Sequence, residues 1–322
     1  MRQAGRFMPE YWEIKNKYSF LEMCKTPEIA ADVTMLPVDL LGIDAAILFC
    51  DILVTGEAMG GDLSFTQGIG PRFANPIRNA QDIDRLNVDV LGELQYVGDA
   101  IKVIQQRLSA REDGVPLIGF AGAPFTVMSY LIEGGSSKDF KLTKLFIHNE
   151  PELAHRLLAK IAKVTVDYLN MQIAAGVNAV QIFDSWALSL AWNDYQEFSH
   201  QYIQQIIAGL NRKDIPVISF CKGSSVFAPL MAEAKPDVVS VDWNADLLNI
   251  KKILPAGMAI QGNLDPHILY ADKPVIKKYI LQLFERMRGE QGFIFNLGHG
   301  IMPDIPFDHV KYAVEVVKGF RY

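Results

Sequence analysis

Two guanidinium groups stand close together at the start of the chain, where MRQAGRFMPEYW places Arg2 and Arg6 on either side of a Gln-Ala-Gly spacer. Guanidinium groups bind carboxylates through two parallel hydrogen bonds and remain charged at any relevant pH. The first residues of most chains are nevertheless solvated and frayed. The spacing therefore leaves two interpretations open, a disordered terminus or an anion-binding turn.

Polar residues recur where short apolar runs of the sequence end. An aspartate or asparagine at such a point is also a common helix cap, and Asp265 before Pro266 is best explained in that way. Asp51 is not followed by an immediate helical pattern, and His299 lies between two glycines that would let the backbone approach a ligand closely. The full set is Asp51, Tyr130, Asp184, Ser185, Lys222, Asp242, Asn263, Asp265 and His299.

Several other chemistries were tested on the same residues. Lys222 at a strand end is a candidate for Schiff-base formation, as in an aldolase-like lyase. The histidines show neither HxC nor HExxH spacing, and Ser219 stands two residues before Cys221, so a zinc site is not predicted. A serine triad lacks its GxSxG turn, and no GxGxxG or GxxxxGK[ST] motif indicates a nucleotide site.

The elements that must position these residues are short and strongly apolar. Unbroken apolar runs indicate strands buried on both faces, as in a parallel sheet. Between them the pattern is helical, most clearly at 151–175, which begins at Pro151, and at 273–289, where Gly289 is the expected cap. The predicted strands are DAAILFCD (44–51), VPLIGFAGAP (115–124), NAVQIFDS (178–185), IPVISFCKG (215–223), DVVSVDW (237–243), MAIQGNLDP (258–266) and GFIFNLGHG (292–300).

Alternation of strands and helices without a linker predicts one α/β domain over residues 1–322. Two architectures fit, a (β/α)8 TIM-type barrel and an open doubly wound sheet. A barrel needs eight strands, and the shortfall lies at the N-terminus. In the barrel interpretation the first strand is missing or truncated in this chain. RQAGR would then be the loop at its C-terminal end, at the same mouth as the other polar strand ends.

Composition limits the partners and the compartment. The chain has 322 residues, a formal net charge of −6 and 50% hydrophobic residues, which indicates a packed globular protein with no nucleic-acid or anionic-membrane surface. Its three cysteines lie far apart in sequence, as expected in a reducing compartment. No apolar run predicts a membrane span or a signal peptide. A cytoplasmic location is therefore expected.

Five segments together resemble the motif set of the uroporphyrinogen decarboxylase family, in matching order along essentially the whole chain. That family has a further segment with a Pro-x-Trp sequence ahead of its RQAGR motif, so the resemblance also implies a shortened N-terminus here. The segments are MRQAGR (1–6), FCDIL (49–53), GFAGAPFTVMSYLIEGG (119–135), GNLDP (262–266) and NLGHGI (296–301).

The resemblance implies an activity and a site. Members convert the four acetate side chains of uroporphyrinogen III to methyl groups, giving coproporphyrinogen III in haem and porphyrin biosynthesis. Asp51 matches the essential aspartate, which would accept the pyrrole N–H groups and stabilise positive charge on a protonated ring. Tyr130 matches the tyrosine close to that aspartate, and the two are the catalytic residues by resemblance. The implied substrate-binding residues are Arg2, Gln3, Ala4, Gly5, Arg6, Asp51, Tyr130, Ser185 and His299.

Further properties follow from the same resemblance. The protonated substrate is its own electron sink, so no cofactor and no metal are expected. A homodimer with facing barrel mouths is implied. At the predicted site itself, Trp186, the residue after Ser185, departs from the family pattern. Arg72 is a weaker candidate for carboxylate binding. The Schiff-base lyase, a cobalamin- or zinc-linked methyltransferase on the same fold, and a tetrapyrrole carrier without catalysis are the alternatives.

Overall fold

The computed structural model describes residues 4–66 and 70–321. The strands in these residues are β1 (Ala46–Ile47), β2 (Leu63–Thr66), β3 (Gly70–Phe73), β4 (Leu117–Gly122), β5 (Ala179–Asp184), β6 (Val217–Cys221), β7 (Val238–Ser240), β8 (Ala259–Leu264) and β9 (Phe293–Leu297).

Helices separate the strands along the chain. They are α1 (Pro9–Lys15), α2 (Phe20–Lys25), α3 (Pro27–Leu41), α4 (Val54–Ala58), α5 (Ala80–Asp84), α6 (Gln95–Ser109), α7 (Pro124–Glu133), α8 (Lys141–Asn149), α9 (Pro151–Ala175), α10 (Trp192–Tyr195), α11 (Gln201–Gly209), α12 (Ser224–Glu233), α13 (Leu247–Ile253), α14 (Lys273–Arg286) and α15 (Phe307–Gly319). Short 3-10 turns cover Gly92–Leu94, Ala187–Ser189 and Pro266–Tyr270, and a π-helical turn covers Gln196–His200.

The seven predicted strands form one parallel sheet, in the order β1-β4-β5-β6-β7-β8-β9. Each strand of this sheet pairs with the member of the sheet that follows it in the chain, so the curled sheet runs in a single direction around the core. A doubly wound sheet reverses its strand order at a switch point, and that alternative is wrong. Strand β1 is only two residues long, and β1 and β9 are the two edges of the described sheet.

The structure also contains an antiparallel hairpin that the sequence did not reveal. Strand β2 pairs with β3 in a separate two-stranded sheet between α4 and α5. Its Phe73 amide donates to the carbonyl of Gly134 at the end of α7, at 3.0 Å. The hairpin is therefore fastened to the helix that carries Tyr130.

Helix boundaries follow the sequence signals in one case and depart from them in another. The helix predicted over 151–175 is confirmed as α9, which starts with Pro151 and ends before Gly176 at φ +110°. Helix α14 begins as predicted at Lys273 but ends at Arg286, so the predicted cap at Gly289 is wrong. The buried Met287 closes the helix instead, because its amide donates to carbonyls of the last turn.

Two apolar clusters hold the fold together. The larger one lies between the sheet and its helices. The second joins the N-terminal segment to the ends of β8 and β9 and to α14 and α15, through residues such as Met8, Leu264 and Ile301. On the outside, Lys318 of α15 donates to the carbonyl of Gly42 after α3, at 2.7 Å. Helices from the two edges of the sheet therefore meet where β1 and β9 do not pair.

Candidate active site

The N-terminal segment is packed from the first residue that the structure describes. Ala4, Phe7 and Met8 are all buried in the second apolar cluster. The Phe7 ring stacks against Phe307 at 6.5 Å, beyond the end of β9, and Met8 closes a turn by donating its amide to the carbonyl of Gly5 at 3.0 Å. From Ala4 onward, the interpretation as a frayed terminus is wrong.

Arg6 projects from this packed turn. Its side chain is exposed, and its carbonyl accepts a hydrogen bond from the Trp12 indole at 2.8 Å, which fixes the backbone. Nearby, Tyr11 packs edge-on against Phe49 at 6.2 Å, on the loop that follows β1. The turn therefore lies at the C-terminal ends of the strands, between β9 and β1, as predicted. Arg2 and Gln3 lie outside the described residues.

The loop after β1 holds Asp51 in a defined orientation. The Asp51 carboxylate is half-buried, and its Oδ1 accepts the amide of Leu53 at 2.9 Å. Phe49, two residues before it, donates its amide to the Thr34 hydroxyl at 2.9 Å. Helix α4 begins three residues later, at Val54, and its N-cap is Leu53, so Asp51 does not cap it, as expected. The carboxylate instead stabilises the turn before the helix.

Strand β4 ends in Gly122, and this glycine lets the strand end, with helix α7 after it, lie against the loop that carries Asp51. A Cβ atom on Gly122 would stand 2.9 Å from the Ile52 carbonyl oxygen and 3.1 Å from its Cβ. Tyr130 lies in α7, half-buried, with its ring 5.7 Å from that of Trp186, which in turn packs against Phe140 at 5.0 Å. Asp51 and Tyr130 are thus placed on adjoining segments.

A fully buried carboxylate joins α7 to the end of β5. Asp184 accepts hydrogen bonds from the hydroxyls of Thr126 in α7, at 2.7 Å, and of Ser199 in the π-helical turn. The Thr126 hydroxyl also accepts the Trp186 amide at 3.2 Å. Burial raises the pKa of Asp184 from 3.8 to about 6, although both hydroxyls oppose the shift. Asp184 therefore positions the segments that carry Tyr130 and Ser185.

This burial predicts a specific pH dependence of stability. The native state retains the Asp184 proton up to about pH 6, whereas the unfolded chain loses it near 3.8. The contribution of Asp184 to the free energy of unfolding is therefore greatest below pH 4, and it falls by roughly 3 kcal/mol as the pH rises through 6. In urea unfolding, the difference in free energy between wild type and Asp184→Asn should shrink or reverse by that amount over this range. A difference that is constant with pH over this range would contradict it.

Three of the strand-end polar residues serve the fold. Asp242 accepts the amides of Gly223 at 2.6 Å and Asn244 at 3.2 Å. The Asn263 amide donates to the carbonyls of Asp242 and Ala245, both at 2.7 Å. The prediction that Asp265 is a cap is confirmed, because its Oδ1 accepts the amide of His267 at 2.9 Å.

His299 stands on the loop after β9, half-buried among aromatic rings. Its imidazole lies edge-on to Phe220 at 6.0 Å and to Trp243 at 5.9 Å. Its Nδ1 accepts the Gly300 amide at 2.7 Å, so the proton of a neutral ring is on Nε2. Packing within the protein already requires one of the two flanking glycines, because a Cβ on Gly298 would stand 2.4 Å from the Trp243 nitrogen; approach to a ligand beside His299 stays a prediction.

Of the remaining candidates, Ser185 follows β5 and is half-buried. Arg72 is exposed on the β2–β3 hairpin, where its backbone pairs with Ser64. Sequence analysis did not single out Trp243, although its place directly after a strand-end aspartate was a usable signal. At the mouth, the structure brings together the ends of β1, β5, β6 and β9 with helix α7.

The described ranges contain no group of three or more histidine, cysteine or acidic side chains arranged to hold a metal ion. The expectation of a cofactor-free and metal-free site remains a prediction. Within the same ranges, none of the helices has the length and apolar character needed to cross a membrane.

Comparison of this site and fold with known proteins gives a consistent result. The family profile described as uroporphyrinogen decarboxylase matches residues 1–320. A uroporphyrinogen decarboxylase of Protochlamydia amoebophila is 49% identical over 100% of this chain and 87% of its own length. Another from Chloroherpeton thalassium is 47% identical over 99% of this chain and 91% of its own length.

Solved structures give the fold alone. A methyltransferase from Methanosarcina mazei superposes with a TM-score of 0.77 over 98% of this chain and 91% of its own, at 20% identity. At that identity the likeness supports the TIM-barrel-like architecture and says nothing of the reaction. The sequence matches carry the assignment, and on them the chain belongs to the uroporphyrinogen decarboxylase family.

Proposed function

We propose that this chain decarboxylates the four acetate side chains of uroporphyrinogen III, giving coproporphyrinogen III for porphyrin and haem biosynthesis. One observation supports the proposal most strongly. In a chain of this family, the loop after β1 orients the Asp51 carboxylate at the same end of the sheet as Tyr130, Ser185 and His299. The whole chain, residues 1–322, acts as one barrel-like domain in this proposal.

Asp51 acts on the ring that reacts. Its carboxylate accepts the converging pyrrole N–H groups and offsets the positive charge created when a ring carbon takes up a proton. The bond from the acetate methylene carbon to its carboxylate then breaks, and its electron pair neutralises the ring as carbon dioxide leaves. A proton added to the exocyclic carbon and a proton lost from the ring complete the methyl group. Each acetate thus consumes one proton and releases one carbon dioxide.

The remaining residues bind and orient. Tyr130, held beside Trp186, donates a hydrogen bond to the aspartate or to a substrate carboxylate. Arg6 and Arg2 grip carboxylate arms as guanidinium forks, with Gln3 and the small Ala4 and Gly5 alongside. Because Ala4 and Gly5 are buried by the protein's own packing, their contact with substrate is through the backbone.

Ser185 and His299 bind further carboxylates in this proposal. The Nε2–H of a neutral His299 is a donor directed by the Gly300 bond to Nδ1. No cofactor or metal is required in this proposal, because the protonated ring supplies the electron sink.

The proposal extends to assembly and location. A homodimer with facing barrel mouths is supported by family membership. A cytoplasmic location is supported by the thiols of Cys24, Cys50 and Cys221, none of which is joined in a disulfide in the described part of the chain.

The activity is tested with the purified chain and uroporphyrinogen III under anaerobic conditions. We expect carbon dioxide release and successive products that have lost one to four carboxylates, separated after oxidation to porphyrins. A matched incubation without protein controls for spontaneous reaction. Binding of the macrocycle without carbon dioxide release would contradict the proposal and favour the tetrapyrrole carrier.

A further inference from the structure

One cationic side chain at the mouth has no part in the function proposed above. Lys222 follows β6, at the same end of the sheet as Asp51 and His299, and is half-buried. From sequence alone it was a candidate for Schiff-base chemistry. Its surroundings in the structure indicate a different role.

The Lys222 ammonium group forms no ion pair with a carboxylate among the described residues. The carboxylates at the ends of the two adjacent strands, β5 and β7, have other partners: Asp184 accepts the hydroxyls of Thr126 and Ser199, and Asp242 accepts the Gly223 amide at 2.6 Å. A partly desolvated charge without a counterion is unfavourable unless something binds it. The site therefore favours an anionic ligand.

The backbone at Lys222 is rigidly placed. The Lys222 amide donates to the Asp184 carbonyl at 3.1 Å, which continues the pairing of β5 with β6. Gly223 has φ +91°, and a Cβ on it would stand 2.9 Å from Leu188 Cδ1. The chain can turn this tightly only with glycine after the lysine. The ammonium group is therefore presented from a preorganised loop.

An aromatic ring joins this lysine to the histidine of the site. Lys222 Nζ lies 5.9 Å from the centroid of the Trp243 ring, within the range of a cation–π interaction. The His299 imidazole stands at 82° to the same indole, at 5.9 Å. Gly298 allows this because its backbone passes directly against Trp243. Lys222 and His299 therefore both contact the indole ring of Trp243.

The geometry points to Lys222 as a carboxylate-binding residue that, together with His299, holds an acidic arm of the macrocycle beside Trp243. This inference rests on the proposed function, which supplies a substrate carrying many carboxylates. Along the sheet, β6 lies three strands from β1. Lys222 therefore anchors the substrate away from the Asp51 loop and sets the position of the ring that reacts there.

The test compares steady-state kinetics of wild type, Lys222→Met and Lys222→Arg with uroporphyrinogen III. Methionine keeps the length and apolar stem of lysine and removes its charge. We expect KM to rise about tenfold or more in Lys222→Met, with kcat changed by no more than about threefold. Arginine should restore KM to within about threefold of wild type, because it keeps the charge. Lys252→Met, on the exposed last turn of α13 at the other end of the barrel, is the matched control.

Two results would overturn the inference while leaving the proposed function intact. One is an active wild type whose KM is unchanged in Lys222→Met. The other is a loss of kcat in Lys222→Met, with KM unchanged, that arginine does not rescue, because a residue that only binds a carboxylate acts on KM. If wild type releases no carbon dioxide, the proposed function fails separately. In that case the dissociation constants of uroporphyrinogen III for wild type and Lys222→Met are compared. A constant at least about tenfold higher in the variant supports the carboxylate-binding role of Lys222, and an unchanged constant contradicts it.

Discussion

Gly298→Ala is expected to lower the free energy of unfolding by about 2–3 kcal/mol and to reduce activity as well. A Cβ at this position would stand 2.4 Å from the Trp243 nitrogen and 2.9 Å from its Cα. Both are backbone atoms, so relief requires the loops after β7 and β9 to separate. His299 is the next residue, and its contact with Trp243 would be lost with them.

The measurement is urea unfolding of both proteins at one pH, followed by turnover of uroporphyrinogen III. Gly319→Ala is the matched control, because nothing lies within 4 Å of a Cβ there and the residue is helical. That variant should equal or slightly exceed wild type in stability. A Gly298→Ala protein as stable and as active as Gly319→Ala would show that the two loops are not held in contact.

The strand plan was predictable because buried parallel strands leave a strong and simple pattern. All seven unbroken apolar runs became neighbouring strands in chain order. The contact between Tyr11 and Phe49 places the segment that starts at Ala4 near the loop after β1. The β2–β3 hairpin was missed because residues 63–73 combine glycine and proline with few apolar residues. Neither the two-residue period of a strand nor the 3.6-residue period of a helix is therefore clear in this segment.

Roles at the strand ends were harder to predict, because they depend on partners far away in sequence. Asp184 and Ser185 are neighbours with the same signal, but only Asp184 meets hydroxyls, from Thr126 and from Ser199 in a π-helical turn. Periodicity carries no information on such a turn. The flanking glycines of His299 are visible in the sequence, but the close packing of Gly298 against the Trp243 backbone is not.

The largest effect is expected for Asp51→Asn, which should reduce kcat by at least about a hundredfold to a thousandfold. The asparagine Oδ1 can still accept the Leu53 amide, which Asp51 accepts at 2.9 Å. Folding of the loop should therefore survive while the negative charge is lost. Without that charge, protonation of a pyrrole carbon in a partly buried site is no longer stabilised.

Asp265→Asn is the matched control for this change. Asp265 also follows a strand at the same end of the sheet, and its Oδ1 also accepts the amide two residues on, at 2.9 Å. Both variants remove one carboxylate charge from a turn of the same kind. Turnover by Asp265→Asn should remain within about threefold of wild type, so a loss specific to Asp51 cannot be assigned to the turn.

The most direct test of the Asp51 charge is a single turnover with enzyme in excess over uroporphyrinogen III. Binding of the macrocycle and release of the first carbon dioxide are followed separately in wild type and Asp51→Asn. We predict that the variant still binds, with a dissociation constant within about tenfold of wild type, and releases the first carbon dioxide at least about a hundredfold more slowly. Release at the wild-type rate from the bound variant would contradict the account.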